Sequence, residues 1–234
     1  MEEATPELLS SSLGVTVSKE SFDSHLTAFT HRSYVNEVAG QGCMENNERH
    51  EFLGDAILEH IVTEYLFHEF PEFPEGKLTN IRSALVKKET LSQATKDLDI
   101  IKYLRMSIGE DKTGGREKDY LLANLYEAVL GAIYMDQGFE EARIFVTRTL
   151  LQYLDEIMEK KLYIESKSYL QEKSQEIVLV TPTYQVEEEE GKDHDKTFTV
   201  GVYFGEKFIA HGTGSSKQLA QQDAARNAII LLKW

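Results

Sequence analysis

The stretch Asn47–Ala56, which reads N-E-R-H-E-F-L-G-D-A, decides how the first part of this chain folds. Its carboxylates Glu48, Glu51 and Asp55 stand at positions i, i+3 and i+7, so on a helix they lie within about 60° of one another. An acidic stripe on a buried helix is unfavourable unless a positive charge faces it. The pattern therefore points to a divalent metal ion. The apolar residues that predict burial of this helix are Phe52, Leu53, Ala56, Ile57, Ile61 and Val62.

Composition predicts a cytoplasmic protein without a membrane partner. The chain has 234 residues with 41% hydrophobic content, and it contains neither a long apolar run nor a start typical of a signal peptide. The single cysteine, Cys43, excludes an internal disulfide and fits a reducing compartment. The net charge of −15 weighs against a nucleic-acid partner, unless the acids cluster at a metal site and the bases line another face.

The periodicity predicts two domains of different class. Residues 1–160 are expected to be an all-α domain, 161–165 a linker, and 166–234 a small α+β domain of the order α-β-β-β-α. In the first domain we expect a helix over Glu48–Phe70 and another over Asp119–Met135 that Gly138 ends. In the second we expect strands over Thr183–Glu189, Thr197–Phe204 and Lys207–Gly212, with a final helix over Ser216–Leu232.

A second polar pair stands in the segment A-N-L-Y-E-A-V-L-G-A-I-Y. Asn124 and Glu127 are i and i+3 on an otherwise apolar helix, so they share one face. If this helix packs beside the first, its polar face meets Glu48, Glu51 and Asp55. Hard oxygen ligands without His or Cys suit Mg²⁺, with Mn²⁺ as a substitute. The alternative is an ordinary solvated helix face, and spacing alone does not decide between the two.

These motifs resemble those of the ribonuclease III family. The similarity runs from N-E-R-H-E-F-L-G-D-A through T-H-R-S-Y with Asn36-Glu37, P-E-G-K-L-T, G-G-R-E and A-N-L-Y-E-A-V-L-G-A-I-Y. The C-terminal domain resembles a double-stranded RNA-binding domain. The resemblance implies a homodimeric endoribonuclease that hydrolyses both strands of duplex RNA and leaves 5′-phosphate and 3′-hydroxyl ends with short 3′ overhangs. It further implies a role in the maturation of ribosomal and messenger RNA.

The resemblance also implies roles for particular residues. The implied metal ligands are Glu51, Asp55, Asn124 and Glu127, with Asp55 and Glu127 catalytic. Supporting acidic residues are Glu48, Glu75 and Glu110. Phe52 and Leu53 are expected near the subunit contact. The implied RNA-binding residues of the second domain are Gln171, Glu172, Gln175, His194 and Lys217.

Two features depart from the family pattern. Asn124 stands where the family usually has Asp, so one negative charge is missing and weaker metal binding is expected. In the second domain, Gln218 stands where family members commonly carry a second Lys. The segment Ile164–Trp234 holds eight Lys and Arg against eleven Asp and Glu, net −3, so RNA binding by this domain is expected to be weak and salt-sensitive. Two alternatives to the enzyme remain open. One is a duplex-binding protein silenced at Asn124, and the other is a ribonucleoprotein scaffold.

The segment His31–Ser33 does not form a nucleophilic pair with a recognisable acidic partner. A role in helix packing, or a hydrogen bond across the site, is expected instead.

Overall fold

The computed structural model describes residues 2–38, 45–191 and 196–234. The chain divides into two compact units, Met1–Tyr163 and Ile164–Trp234, each with its own hydrophobic core. The predicted fold class, an all-α domain followed by a small α+β domain, is confirmed. Within the described part of the chain, no helix combines the length and apolar character needed to cross a bilayer.

The first unit is built from helices, joined by short 3₁₀ turns and loops. Its α-helices are α1 (Pro6–Leu13), α2 (Phe22–Ala28), α3 (Arg32–Glu37), α4 (Glu48–Glu69), α5 (Glu75–Val86), α6 (Lys88–Asp97), α7 (Ile108–Lys112), α8 (Asp119–Thr149) and α9 (Leu154–Glu159). Helix α8 supplies the centre of the core, since most of its first half is buried. The other helices pack around it, and α4 makes the most extensive contact.

Helices α4 and α8 approach so closely that their backbones touch. A Cβ atom added to Gly54 would overlap the carbonyl oxygen of Glu127, and one added to Gly131 would overlap the carbonyl oxygen of His50. Each helix therefore places a glycine against the backbone of the other. This crossing fixes the faces of α4 and α8 relative to each other, and with them the side chains that those faces carry.

Helix α8 is interrupted at Gly138, as the sequence predicts. Gly138 has φ 82° and ψ −173°, a conformation that side-chain-bearing residues rarely adopt. After it the chain resumes a helical course to Thr149, whose buried hydroxyl lies 2.6 Å from the Tyr126 hydroxyl. A 3₁₀ turn, Leu151–Tyr153, then separates α8 from α9.

The second unit packs two helices on one face of a three-stranded antiparallel sheet. Its elements are α10 (Ser166–Ile177), β1 (Pro182–Glu190), β2 (Thr197–Phe204), β3 (Lys207–Gly214) and α11 (Lys217–Leu232), with strand order β1-β2-β3. The pairs Tyr184↔Val202 and Val202↔Ala210 put these side chains in the core against the helices. The register shifts between Val186 and Glu188 on β1 and between Val202 and Tyr203 on β2. Gly212 lets α11 approach, because a Cβ there would overlap the backbone nitrogen of Ala224.

Burial on α4 differs in part from the prediction. Ile61 and Val62 are buried as expected, whereas Phe52 is 81% exposed and Ala56 is also exposed. The buried stripe of α4 instead faces α8 through Gly54, so Phe52 and Ala56 point to the opposite side. The reasoning from hydrophobicity was therefore wrong for these two positions.

We expect Gly54→Ala to destabilise the first unit by about 1–3 kcal/mol, since the new methyl group forces α4 and α8 apart. Gly76→Ala is the matched control, because Gly76 lies in α5 with nothing near its missing Cβ, and its effect should stay within about 1 kcal/mol. Urea denaturation followed by helical circular dichroism measures both. Equal midpoints for the two variants would contradict the backbone contact.

A buried histidine ties α2 to α8. The Nε2 atom of His25 lies 3.1 Å from Oδ2 of Asp136, and His25 is fully buried. Burial lowers the pKa of His25, and attraction to Asp136 offsets this only in part. Burial raises the pKa of Asp136, but hydrogen bonds from His25, Gln137 and Ser21 outweigh it and hold that pKa below its usual value.

His25 should contribute a loss of stability as the pH falls below about 6.5, the ordinary pKa of histidine, whereas Glu127, whose pKa is raised to about 8, acts in the opposite direction. The lowered pKa of His25 means that the unfolded chain takes up the proton first, so acid favours unfolding. The free energy of unfolding at pH 7.0 and 5.5 checks this. His25→Gln should remove this loss, so its free energy of unfolding changes more favourably from pH 7.0 to 5.5 than that of the parent, whereas His68→Gln, at an exposed position on α4, should keep the parental change. The same slope in both variants would exclude His25 as its source.

Candidate metal centre and nucleic-acid interface

The crossing of α4 and α8 brings together the polar faces predicted from the sequence. Glu51 and Asp55 stand on α4, one on each side of the Gly54 contact, and Asn124 and Glu127 stand on the facing stretch of α8. Glu127 and Glu51 are half-buried, while Asp55 is exposed. The four predicted metal ligands therefore meet at one edge of the helix pair.

The carboxylates affect each other electrostatically. Burial, followed by the charges of Asp55 and Glu51, raises the pKa of Glu127 to about 8. Burial and the charge of Glu48 also raise the pKa of Glu51, while the neighbouring amide of Asn124 opposes the shift. Such shifts arise where like charges share a poorly solvated place without a positive partner. A bound cation would reverse them.

The donor chemistry suits a hard divalent cation, because three carboxylates and one amide oxygen supply oxygen ligands only. Across residues 2–38, 45–191 and 196–234, however, no group of three or more His, Cys, Asp or Glu side chains is arranged to hold a metal ion. The fourth predicted donor, Asn124, belongs to none of those residue types. The set thus matches the chemistry of a divalent metal, although its carboxylates are not drawn together around a common point.

A pocket of about 310 Å³ opens beside these residues. Glu48, Glu51 and Asn124 line it on one side, and Glu110 lines it from α7. Lys118 holds Glu110 at 2.7 Å, and this hydrogen bond keeps the pKa of Glu110 below its usual value. Glu48 and Glu110 therefore line the pocket, and their supporting role stays a prediction.

The structure adds residues to the pocket that the sequence reasoning assigned no ligand role. His31, Arg32 and Ser33 line it from the start of α3, together with Asn36 and Asn47. The sequence predicts helix packing or a hydrogen bond across the site for His31–Ser33, and the segment T-H-R-S-Y is the signal for their place at the pocket. Lys118 was likewise missed, since nothing in its spacing ties it to Glu110.

Glu75 is not brought into this pocket. It begins α5, is exposed, and accepts a hydrogen bond of 2.9 Å from the Thr79 hydroxyl. None of its described contacts involves the other predicted acids, so its supporting role stays a prediction.

In the second unit, the predicted RNA-binding residues divide between two helices. Gln171, Glu172 and Gln175 are exposed on α10. Lys217 begins α11, which Ser216 caps, and its ammonium group lies 2.8 Å from Glu189. His194 lies outside the described residues, as does Cys43 of the first unit.

Comparisons with known proteins agree with both units. A ribonuclease-III-like family model matches residues 23–154, and a model of the double-stranded RNA binding motif matches 166–232. The Ribonuclease 3 of Desulforamulus reducens is 44% identical over 203 residues, covering 87% of this chain and 82% of that protein. The Ribonuclease 3 of Borreliella afzelii is 39% identical over 215 residues, covering 92% and 87%.

A solved structure gives the same result for the first unit. The nuclease domain of ribonuclease III from Campylobacter jejuni is 35% identical, with a TM-score of 0.57 over 63% of this chain and 97% of that one. A helical unit with facing acidic side chains, followed by an RNA-binding motif, defines a nuclease that acts on RNA duplexes. The chain belongs to the ribonuclease III family.

We expect Asn124→Asp to tighten binding of Mg²⁺ or Mn²⁺ on the order of tenfold, because it adds a carboxylate to the oxygen donors. Calorimetric titration of the metal alone measures this. Asn80→Asp makes the same change in net charge at an exposed position of α5 and should leave the affinity unchanged. A tightening of equal size in both variants would assign the effect to overall charge rather than to Asn124.

Proposed function

We propose that this protein is a cytoplasmic, homodimeric endoribonuclease that cleaves double-stranded RNA with Mg²⁺, or with Mn²⁺ as a substitute. The products carry 5′-phosphate and 3′-hydroxyl ends, and the substrates are precursors of ribosomal and messenger RNA. The observation that carries the proposal is the meeting of two acidic helix faces at the crossing of α4 and α8, in a chain that also has a double-stranded RNA binding motif.

The chemistry follows from the donor set. We propose that Glu51, Asp55 and Glu127 hold the ion through carboxylate oxygens and Asn124 through its amide oxygen. When bound, the ion lowers the pKa of water and neutralises charge on the phosphodiester. Burial of Glu127 places one carboxylate where few waters compete with it, and the exposure of Asp55 leaves an open side for the RNA strand. On this proposal Asp55 and Glu127 are the catalytic residues.

The exposed face of α4 supports a homodimer. Phe52 is 81% exposed, and an aromatic side chain so open to solvent suits a protein contact. Phe52 and Leu53 would lie at the subunit interface. The Campylobacter jejuni relative is described as having a region involved in dimer formation. Residues 161–165 would serve as the linker to the RNA-binding unit, close to the division at Tyr163.

In the second unit, Gln171, Glu172, Gln175, His194 and Lys217 would contact the duplex. Polar side chains suit the shallow minor groove of A-form RNA with its 2′-hydroxyl groups, and a lysine at a helix start suits a phosphate. Neither the silent binding protein nor the scaffold is favoured, since the relatives are ribonucleases. Incubation of a long RNA duplex with Mg²⁺ or Mn²⁺ decides the matter, and binding without cleavage at any metal concentration would exclude the enzyme.

We expect Glu127→Gln to lower the rate of duplex cleavage at least about 100-fold, because a carboxylate of the metal centre is lost. Binding of the duplex should change less than twofold, because the RNA-binding unit is untouched. Glu140→Gln is the control, since Glu140 is exposed on α8 beyond the Gly138 break and pairs with Arg143. Cleavage by Glu127→Gln at the parental rate would remove Glu127 from the site.

A further inference from the structure

The pocket beside the metal centre has a second wall of different character. One wall carries the acids of α4 and the amide of Asn124, whereas His31 and Arg32 line it from the start of α3. Neither Asp55 nor Glu127 lines this pocket. Glu51 and Asn124 do line it, so a group held against His31 and Arg32 would lie beside the predicted metal position.

The hydrogen bonds of His31 fix which ring nitrogen carries the proton. Its Nδ1 atom lies 2.8 Å from the Ser33 hydroxyl and accepts a hydrogen bond of 3.3 Å from the backbone N–H of Ser33. The same hydroxyl accepts the backbone N–H of Ser107, so its own hydrogen is free to point at His31. Nδ1 is thus an acceptor, and the neutral ring carries its hydrogen on Nε2.

This Nε2–H group has no hydrogen-bond acceptor in the described part of the chain. No hydrogen bond joins it to any described residue, although His31 is only part-buried and lines the pocket. Two hydrogen bonds, one of which caps α3, hold the ring in place. A donor that is oriented so firmly and left open toward a pocket is suited to a ligand with acceptor oxygens.

Arg32 brings the positive charge to the same wall. Its side chain is 69% exposed, and its contact with Glu48 is 3.6 Å, which is longer than a close ion pair. An exposed pair of this kind contributes little to stability, so it does not account for the arginine by itself. Lys118, the neighbouring cation, is already held by Glu110 at 2.7 Å. Most of the N–H donors of the Arg32 guanidinium are therefore available to another partner.

We propose that His31 and Arg32 bind a backbone phosphate of the RNA strand, adjacent to the phosphodiester that is cut. The guanidinium neutralises the phosphate, and the Nε2–H group of His31 donates a hydrogen bond to one of its oxygens. Both are positioning residues, which set the register of the strand against the metal centre. This inference rests on the proposed function, because it takes duplex RNA as the ligand.

A phosphate fits this wall better than a base does. Tyr120 is the one aromatic side chain other than His31 among the residues lining the pocket, so stacking on two faces is not offered there. Arginine and a neutral donor side by side match the charge and oxygens of a phosphate. Glu48 lies 3.6 Å from the same guanidinium, so a bound phosphate competes with that carboxylate for Arg32.

The two residues give different signatures in a binding experiment. With Glu127→Gln as the parent, duplex affinity is measured over a series of salt concentrations in Mg²⁺. Arg32→Gln should reduce the slope of log affinity against log salt by about 1, since one phosphate contact is lost. His31→Asn removes a neutral donor but keeps a good helix cap, so affinity should fall roughly fivefold with the slope unchanged.

Two further variants separate binding from folding and overall charge. Arg143→Gln removes an exposed arginine that also pairs with a glutamate, and it should leave the slope at the parental value. Arg32→Lys should restore the slope, because it returns the charge. In the cleaving protein with Glu127 intact, Arg32→Gln should raise KM by more than it lowers kcat. A thermal midpoint within a few degrees of the parent shows that α3 is intact.

The outcomes distinguish this inference from the proposed function. If the parent binds no duplex, the proposed function fails and the inference falls with it. If the parent binds but Arg32→Gln keeps the parental slope, only the phosphate contact is overturned. A slope that falls equally in Arg143→Gln would also overturn it, since overall charge would then explain the change. If His31→Asn binds as the parent does, His31 has no part in holding the strand.

Discussion

The backbone contact between α4 and α8 is the constraint on which the candidate site depends. Gly54 and Gly131 leave no room for side chains, so each helix meets the main chain of the other. Contact at this distance fixes both the separation and the rotation of the helices. Glu51 and Asp55 flank one glycine, and the partner backbone belongs to Glu127 itself. The geometry of the acids is thus set by main-chain packing, which is more rigid than contact between long side chains.

The same contact explains the electrostatics of the site. It brings carboxylates into a partly buried place and raises the pKa of Glu127 to about 8. Like charges gathered in one place destabilise the folded protein there, and they give the site a strong preference for a positively charged ligand. Nearby, Lys118 forms a close ion pair with Glu110 at 2.7 Å, and the exposed Arg32 lies 3.6 Å from Glu48. These cations lie beside Glu110 and Glu48, whereas the pKa of Glu127 is set by burial and by the carboxylates of Asp55 and Glu51.

The sequence predicted the elements of this site better than their surroundings. The spacing of Glu51 and Asp55, and that of Asn124 and Glu127, defined a face on each helix because the helical period is fixed. The order of the two units was predicted equally well, because the hydrophobic period changes from that of helices to that of strands after the first unit. The prediction of burial from hydrophobicity was wrong at Phe52, because the apolar character of a helix residue does not show which part of the protein covers it. The pairing of Lys118 with Glu110 depends on how loops fold back, and no local pattern encodes that.

The ion pair between Lys217 and Glu189 changes how the second unit meets a polyanion. Lys217 begins α11 already holding a carboxylate at 2.8 Å, so a phosphate that reaches it replaces an internal anion instead of filling an empty place. Exchange of one anion for another yields little net attraction by itself. A ligand gains affinity here only by making its other contacts at the same time, as a duplex of the right width can. The Glu189 carboxylate on β1 thus competes with a phosphate for Lys217. Binding to this unit then depends more on the shape of the ligand than on its charge.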